Sequence, residues 1–330
     1  MPELPEVQTI VDDLNKKIIG RKITAVWFDA PKMISIIFAD RRGKVHGTTR
    51  KTENFRRIFE KELSGLKIEK IERRGKNILI YLTDAEKRRI FSAAQRQVRH
   101  GSAHILLVHQ KMTGHLLVGR WKIQKIAKTK FKVTNLGKGP LQEKVNDYIH
   151  LIFDLDNGQQ LALSDLRKFA KVLFGSKEEI EKSADLAKIG PDPMDKNFKG
   201  SDFIKSISRQ KRKIKQVLLD QNVISGIGNI YSDEALFLAK IHPFRPANKI
   251  AKKELKNLYS AIKNVLKKAI KLRGTSISDF RDTSGEAGSY GQRRLVYRKE
   301  SQLCGRCKTP IKRIKMGGRS AHFCPHCQKL

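Results

Sequence analysis

Gln221-Asn222-Val223-Ile224-Ser225-Gly226-Ile227-Gly228-Asn229-Ile230-Tyr231 is the stretch on which the architecture turns. Ile214, Val217 and Leu218 before it, and Ile230, Ala235 and Leu238 after it, sit at helical spacing, so a short helix enters and another leaves. Gly226 and Gly228 permit a tight turn with exposed amides, and Asn229 suits the cap of the second helix. Amides at a helix N-terminus attract anions. Residues 205–216 just upstream carry six basic side chains, Lys211 and Lys215 among them, and no acid. Taken alone, such a turn is as readily plain structure; beside that basic flank it reads as a phosphate clamp.

Working outward, Gly190-Pro191-Asp192-Pro193 marks a hinge, and the pattern beyond it is helical to about residue 272. A Gly/Ser-rich loop over 283–291 leads to the cysteines. All four lie in the last 27 residues, as Cys304-Gly305-Arg306-Cys307 and Cys324-Pro325-His326-Cys327. Two such knuckles point to a zinc ribbon with four thiolates around one ion, a closed and therefore structural site. His322 and His326 are left out of the ligand set. Lys312, Arg313, Lys315 and Arg319 lie between the knuckles without an acid, as suits a hairpin against a phosphate backbone.

On the N-terminal side, Val7, Ile10, Val11, Leu14 and Ile18 predict a helix over 5–19, with Pro5 in its first turn and Gly20 at its end. Short β-branched runs follow at 22–29, 33–39, 67–72, 77–82, 104–109, 115–120, 148–155 and 160–163, separated by turn residues such as Asp156-Asn157-Gly158. They predict an antiparallel β-sandwich. Two segments, 84–101 and 121–146, look like additions to it. The second has Lys122, Lys125, Lys128, Lys130 and Lys132 and no acid before Glu143. A solvated loop is the plainer expectation for each, with nonspecific phosphate contact as the other.

Lys and Arg number 69 against 33 Asp and Glu, a formal charge of +36 over 330 residues. An excess of that size argues for a polyanionic partner, nucleic acid ahead of a membrane surface. No run of apolar residues is long enough for a transmembrane helix, and the acidic, proline-punctuated start is unlike a signal peptide, so a cytoplasmic protein is expected. Nothing signals an obligate oligomer.

The start of the chain holds one more candidate. Freed of Met1, Pro2 is a secondary amine able to attack an electrophilic sugar carbon and form an iminium. A nearby helix start disfavours its protonation, and Glu3 is placed for general acid or base work. By composition alone, a frayed terminus with two ordinary helix-start acids, Glu3 and Glu6, is the stronger reading.

Met1-Pro2-Glu3-Leu4-Pro5-Glu6-Val7, the 226–231 turn and the four-cysteine ribbon together resemble the formamidopyrimidine-DNA glycosylases of the Fpg/Nei family, whose landmarks they match in order across the whole chain. The resemblance implies an α+β protein with residues 1–190 as a catalytic β-sandwich carrying the terminal helix. Residues 191–290 would be a helical helix–two-turn–helix domain and 291–330 the zinc-ribbon finger, with DNA in a basic cleft. It implies a glycosylase and AP lyase that excises oxidised purines such as 8-oxoguanine and formamidopyrimidines from double-stranded DNA, then cuts by β,δ-elimination. One structural zinc ion is the cofactor, the working unit a monomer, and the place the nucleoid.

Residue by residue, the resemblance makes Pro2 the Schiff-base nucleophile and Glu3 its proton donor, with Glu6 an acid near the active site. Lys76, in Arg73-Arg74-Gly75-Lys76, becomes the β-turn lysine of β-elimination, and Arg319 the finger arginine of δ-elimination. Met112, Arg167 and Phe169 would fill the duplex gap left by the extruded nucleotide; read by composition, Met112 and Phe169 are core residues. Lys211, Lys215, Gly228 and Asn229 fall around the phosphates of that nucleotide. Three departures stand out. Lys168 replaces a common arginine, losing a bidentate fork. Tyr148 stands where a histidine is usual, with His150 close by. The loop 284–292, expected over the extruded base, differs in its Ala287-Gly288-Ser289-Tyr290. Two alternatives remain: an endonuclease VIII-type glycosylase for oxidised pyrimidines, and a noncatalytic zinc-ribbon nucleic-acid-binding protein.

Overall fold

Val7, Ile10, Val11 and Leu14 line one side of helix α1 (Leu4–Lys17) and are fully buried or nearly so in the computed structural model. The structure describes residues 1–40, 42–48, 53–84, 104–127, 130–277 and 279–330. From residue 85 on, the addition expected at 84–101 lies outside them. The described chain divides into two units: Met1–Pro2, Glu6–Ala187 and Ser276–Gly288 form the first, and Glu3–Pro5, Lys188–Thr275 and Ser289–Leu330 the second.

In the first unit, strands β1 (Ile23–Phe28), β2 (Ile34–Ala39) and β3 (Val45–Thr48) precede helix α2 (Glu53–Leu63). Then come β4 (Lys67–Arg74), β5 (Asn77–Thr83), β6 (His104–His109), β7 (His115–Gly119), β8 (Trp121–Ala127) and β9 (Lys130–Asn135). Strands β10 (Ile149–Leu155), β11 (Gln160–Ser164) and β12 (Lys171–Ser176) and helix α3 (Lys177–Lys182) complete it. A four-stranded sheet runs β1-β10-β11-β7 and a six-stranded sheet β3-β2-β12-β6-β5-β4. Their alternating apolar residues share one core, with Phe28, Leu151, Phe153, Leu161 and Leu163 from one sheet and Ile34, Ile78, Ile80, Leu106 and Val172 from the other. Phe55, Phe59 and Leu63 of α2 recur every fourth residue and enter the same core, a helix that the strand reading passed over.

Two further details differ from the expected antiparallel sandwich with a loop at 121–146. Strand β12 pairs β2 in parallel, Val172 opposite Ile34, because the two are joined by a long excursion and not by a hairpin. The 121–146 segment is folded: β8 and β9 form an antiparallel hairpin with Ile123 opposite Val133. Trp121 is buried with Leu117, Ile149, Ile152 and Ala162, and Trp27, Ile123, Val133 and Leu141 pack against that cluster. Lysines at every second or third position disguise this period-two pattern as a polar loop.

The second unit contains helices α4 (Gly200–Ser208), α5 (Ile214–Leu219), α6 (Asn229–Leu238) and α7 (Lys252–Lys271), then strands β13 (Lys312–Met316) and β14 (Arg319–Phe323). Leu255, Leu258, Ile262, Val265 and Leu266 make the buried stripe of α7, against Phe203, Ile207, Val217, Leu218, Tyr231 and Leu236. The Gly190–Pro193 stretch is docked on the α5–α6 turn: Gly190 N–H donates to the Gln221 carbonyl (2.8 Å) and Ser225 N–H to the Pro191 carbonyl (2.9 Å). No described helix is long and apolar enough to cross a membrane.

Candidate active site

Glu3 is an anchored acid at the start of the chain. It is 3% exposed, and its carboxylate accepts the backbone N–H of Gly228 (2.8 Å), Ile230 (2.9 Å) and Tyr231 (3.4 Å) at the N-terminus of α6. Leu4 N–H donates to the Gly226 carbonyl at 2.9 Å. The donors that the sequence offered to a phosphate therefore hold a carboxylate of the chain itself, an outcome favoured by the positive end of the helix. That corrects the clamp expected from the amides of this turn. Asn229 is the first residue of α6 and does not cap it; its Oδ1 is buried without a hydrogen-bond partner. Gly228 is required by close approach: a Cβ there would lie 2.5 Å from Glu3 Oε1 and 2.7 Å from its Cγ.

In the first unit, Pro2 is buried, and Glu6 is 2% exposed in the first turn of α1. Lys76, 6% exposed, stands in the two-residue turn between β4 and β5, with Arg74 paired to Asn77 and Gly75 supplying a φ of 58°. Arg73 ties this turn to α1, donating to Gln8 Oε1 (2.8 Å) and to the Gly75 carbonyl (3.0 Å).

The trio for the duplex gap lies on two loops that one buried acid joins. Met112 is 43% exposed between β6 and β7, and Phe169 is 52% exposed between β11 and β12, so neither is a core residue. The Arg167 guanidinium lies 4.5 Å from the Phe169 ring centre. Asp165, fully buried, accepts the Phe169 and Ala170 N–H groups at 2.7 Å each and Arg167 N–H at 3.2 Å, together with the Thr113 hydroxyl next to Met112. Lys168 is exposed, in the left-handed region at φ 55°. Tyr148 is half-buried and its carbonyl accepts Asp165 N–H at 2.8 Å. His150 is engaged elsewhere, with Asp29 at 2.8 Å. Just before the Met112 loop, His109 is pushed down to about 4, chiefly by burial, then by Lys111 and Lys76.

In the second unit, Lys211 is exposed ahead of α5, while Lys215 is wholly enclosed. Its ammonium donates to Asp233 Oδ1 (2.6 Å) and the Ser320 carbonyl (2.7 Å), and burial drives its pKa down. Asp233 also accepts His322 N–H at 2.9 Å and holds its ring Nδ1 at 3.0 Å. Next to it, Glu234 accepts Leu295, Val296 and Tyr297 N–H at 2.7 to 2.9 Å, and burial raises its pKa. These two acids of α6 fix the ribbon whose turn, Gly317-Gly318, leads to the exposed Arg319. Asp165, Asp233 and Glu234 were not singled out in the sequence. Two adjacent acids on an otherwise apolar helix are the signal that marks the latter pair.

Cys304, Cys307, Cys324 and Cys327 bring their sulfurs within 4.8 Å of one another. The separations of 4.0 Å (Cys304–Cys327), 3.4 Å (Cys307–Cys324) and 3.4 Å (Cys307–Cys327) are too long for disulfides. They fit the ~3.8 Å edge of a tetrahedron with Zn–S bonds of ~2.3 Å. Arg306 and Cys327 N–H each point at a cysteine sulfur at 3.4 Å, as thiolate ligands require.

Comparison with known proteins decides what this arrangement is. The description "Formamidopyrimidine-DNA glycosylase N-terminal domain" matches residues 1–172, the H2TH domain of the same glycosylases residues 189–281, and "Zinc finger found in FPG and IleRS" residues 301–330. The formamidopyrimidine-DNA glycosylase of Desulforamulus reducens is 34% identical over 100% of this chain and 99% of its own.

The chain belongs to the formamidopyrimidine-DNA glycosylase family.

The Streptococcus mutans glycosylase is 33% identical over the whole of both chains. Among solved structures, MutM in complex with DNA containing carbocyclic 8-oxo-G superposes with a TM-score of 0.75 at 31% identity, covering 100% of each chain. Lactococcus lactis Fpg bound to DNA with an abasic site does so with a TM-score of 0.75 at 31% identity over 99% of this chain and 100% of that one. With the family's zinc finger matched and four sulfurs at tetrahedral spacing, the cofactor is one structural zinc ion.

Proposed function

We propose that this enzyme, by its family a base-excision-repair DNA glycosylase and AP lyase, attacks the damaged nucleotide with the amine of Pro2 once Met1 is removed. The single observation that carries this is the anchoring of Glu3. A residue held by three backbone N–H groups at a helix N-terminus, next to a buried proline, is no frayed end, and a nucleophile must be held within a fraction of an ångström of its target. The Pro2 nitrogen bonds to C1′ as the N-glycosidic bond breaks and the base leaves with the amine's proton; the C1′–O4′ bond then opens, O4′ takes a proton, and the iminium forms. Glu3, whose Oε1 accepts the Ile230 N–H at 2.9 Å, serves the proton transfer at the sugar oxygen. Loss of the C2′ proton expels the 3′ phosphate, and the second elimination expels the 5′ phosphate.

Lys76 assists the first elimination and Arg319 the second, with Glu6 shaping the field around the amine. Met112, Phe169 and Arg167 replace the extruded nucleotide in the stack and meet the orphaned base. Lys168, Lys211, Tyr148 and Asn229 contact the DNA backbone near it, and Lys215 acts through Ser320 on the strand that carries Arg319. The preferred lesion is an oxidised purine in duplex DNA, processed by one chain on chromosomal DNA in the cytoplasm. A lesion panel tests the substrate. Excision of 8-oxoguanine and formamidopyrimidines well ahead of oxidised pyrimidines is expected; preference for the pyrimidines overturns the assignment.

A further inference from the structure

We propose that the β8–β9 hairpin is a second electrostatic contact of this enzyme, gripping the phosphates of the same duplex away from the lesion. The proposal rests on the DNA-glycosylase reading above. One side of the hairpin is committed to the fold: Trp121, Ile123 and Val133 cover the outer face of the four-stranded sheet, and Phe131 meets Trp27 edge to face at 5.5 Å. Its root is braced by Asn135, which accepts Gly137 N–H (2.6 Å) and donates to the Leu141 carbonyl (2.9 Å). The other side presents Lys122, Gln124, Lys132 and Thr134, all exposed, with Lys122 opposite Thr134 and Gln124 opposite Lys132. Lys125 and Lys130 are exposed nearer the turn, and Arg120 and Lys138 flank the strands. No acid occurs from Trp121 to Gln142. Among the described residues none of these four hairpin lysines pairs with a carboxylate.

Lys122 and Lys132 are diagonal neighbours on one face, roughly 7–8 Å apart, a separation at which like charges repel. A row of unpaired ammonium groups on a folded backbone gains most from a polyanion with regularly spaced charge, because binding need not order the backbone as well. Duplex phosphate is that partner, and the enzyme's own substrate supplies it. Strand β7 separates the Met112 loop from the hairpin root, five residues or about 17 Å of extended chain.

The test compares the parent with a variant carrying Lys122→Gln, Lys125→Gln, Lys130→Gln and Lys132→Gln, on lesion duplexes of about thirty and about ten base pairs. A charge-matched control removes Lys253, Lys256, Lys267 and Lys268 from exposed positions of α7. Each phosphate contact contributes ~0.9 to the slope of log affinity against log salt, so the hairpin variant loses up to about 3.5 from the slope on the long duplex. It loses little on the short one, and the α7 control loses little on either. An unchanged slope on the long duplex overturns the proposal, as does an equal loss on both lengths or an equal loss in the control. Affinity of the parent for RNA or anionic vesicles exceeding that for the long duplex also overturns it. A parent that fails to cleave any lesion duplex sinks the enzyme assignment instead, so the two failures are distinguishable.

Discussion

Substituting Gly228 by alanine tests the link between the chain terminus and α6 with one methyl group. The new Cβ would sit 2.5 Å from Glu3 Oε1 and 2.7 Å from Glu3 Cγ, against ordinary contacts of roughly 3.5–4.0 Å. Gly228 has φ −132°, outside the left-handed region, and the three atoms nearest the new Cβ all belong to Glu3, so the clash falls on that side chain. The carboxylate must retreat by about 1 Å, a misplacement that costs on the order of 100-fold in rate at a reacting centre. Retreat also weakens the two short bonds from Gly228 and Ile230 at 2.8 and 2.9 Å. Hydrogen bonds to a charged group contribute about 1.5–3 kcal/mol each, and water entering the gap recovers part of that, so roughly 2–4 kcal/mol of stability is lost. Single-turnover excision from a lesion duplex and a thermal melt read the two effects. Combined with Glu3→Gln, the alanine should add little, because both act through one carboxylate. Gly228→Ala with parental excision rates, or with losses that simply multiply those of Glu3→Gln, would refute the account of this contact.

Asp165→Asn puts an amide donor where Phe169, Ala170 and Arg167 N–H already point, and should cost about 2–4 kcal/mol in a urea melt. Its excision defect should shrink in a Phe169→Ala background; full additivity would show that Asp165 does not act through that loop. Chelating zinc should unfold the ribbon and abolish DNA binding in a mobility-shift titration, whereas unchanged binding contradicts its role. His109 is held near 4 in the fold, below its unfolded value of about 6.5. The unfolded chain therefore binds the proton first as pH falls, so this residue's contribution is complete above about 6.5 and is lost on the way down to about 4. A denaturation series over that window should lose up to about 3 kcal/mol in the parent and visibly less in His109→Gln; identical pH slopes would contradict this.

Much of the fold is written locally. The period of Val7, Ile10, Val11 and Leu14 predicts α1 to within a residue or two of its ends, and each predicted strand run falls on an observed strand. The cysteine spacing likewise foretells the metal cluster. What eluded the sequence is what depends on partners distant along it. Nothing near Gly226-Ile227-Gly228 says that Glu3, more than 200 residues away, will occupy the amides of Gly228, Ile230 and Tyr231. Lys215 looks like one of six similar cations until Asp233 and the Ser320 carbonyl enclose it. Asp165 is a plain turn residue until Thr113 is brought to it across β7 and β11. The β8–β9 hairpin did carry a strand signal, with Trp121 and Ile123 alternating on one strand and Phe131 and Val133 on the other, but its lysines weighted composition over period.

Borohydride reduction of the enzyme on duplex DNA carrying 8-oxoguanine or an abasic site tests the central claim most directly. Protein verified to begin at Pro2 should give a covalent DNA adduct whose fragment mass maps to the N-terminal peptide, and protein retaining Met1, where the Pro2 nitrogen is an inert amide, should give none. An adduct mapped to a lysine, or no adduct from the processed enzyme while strand cleavage proceeds, would contradict the account.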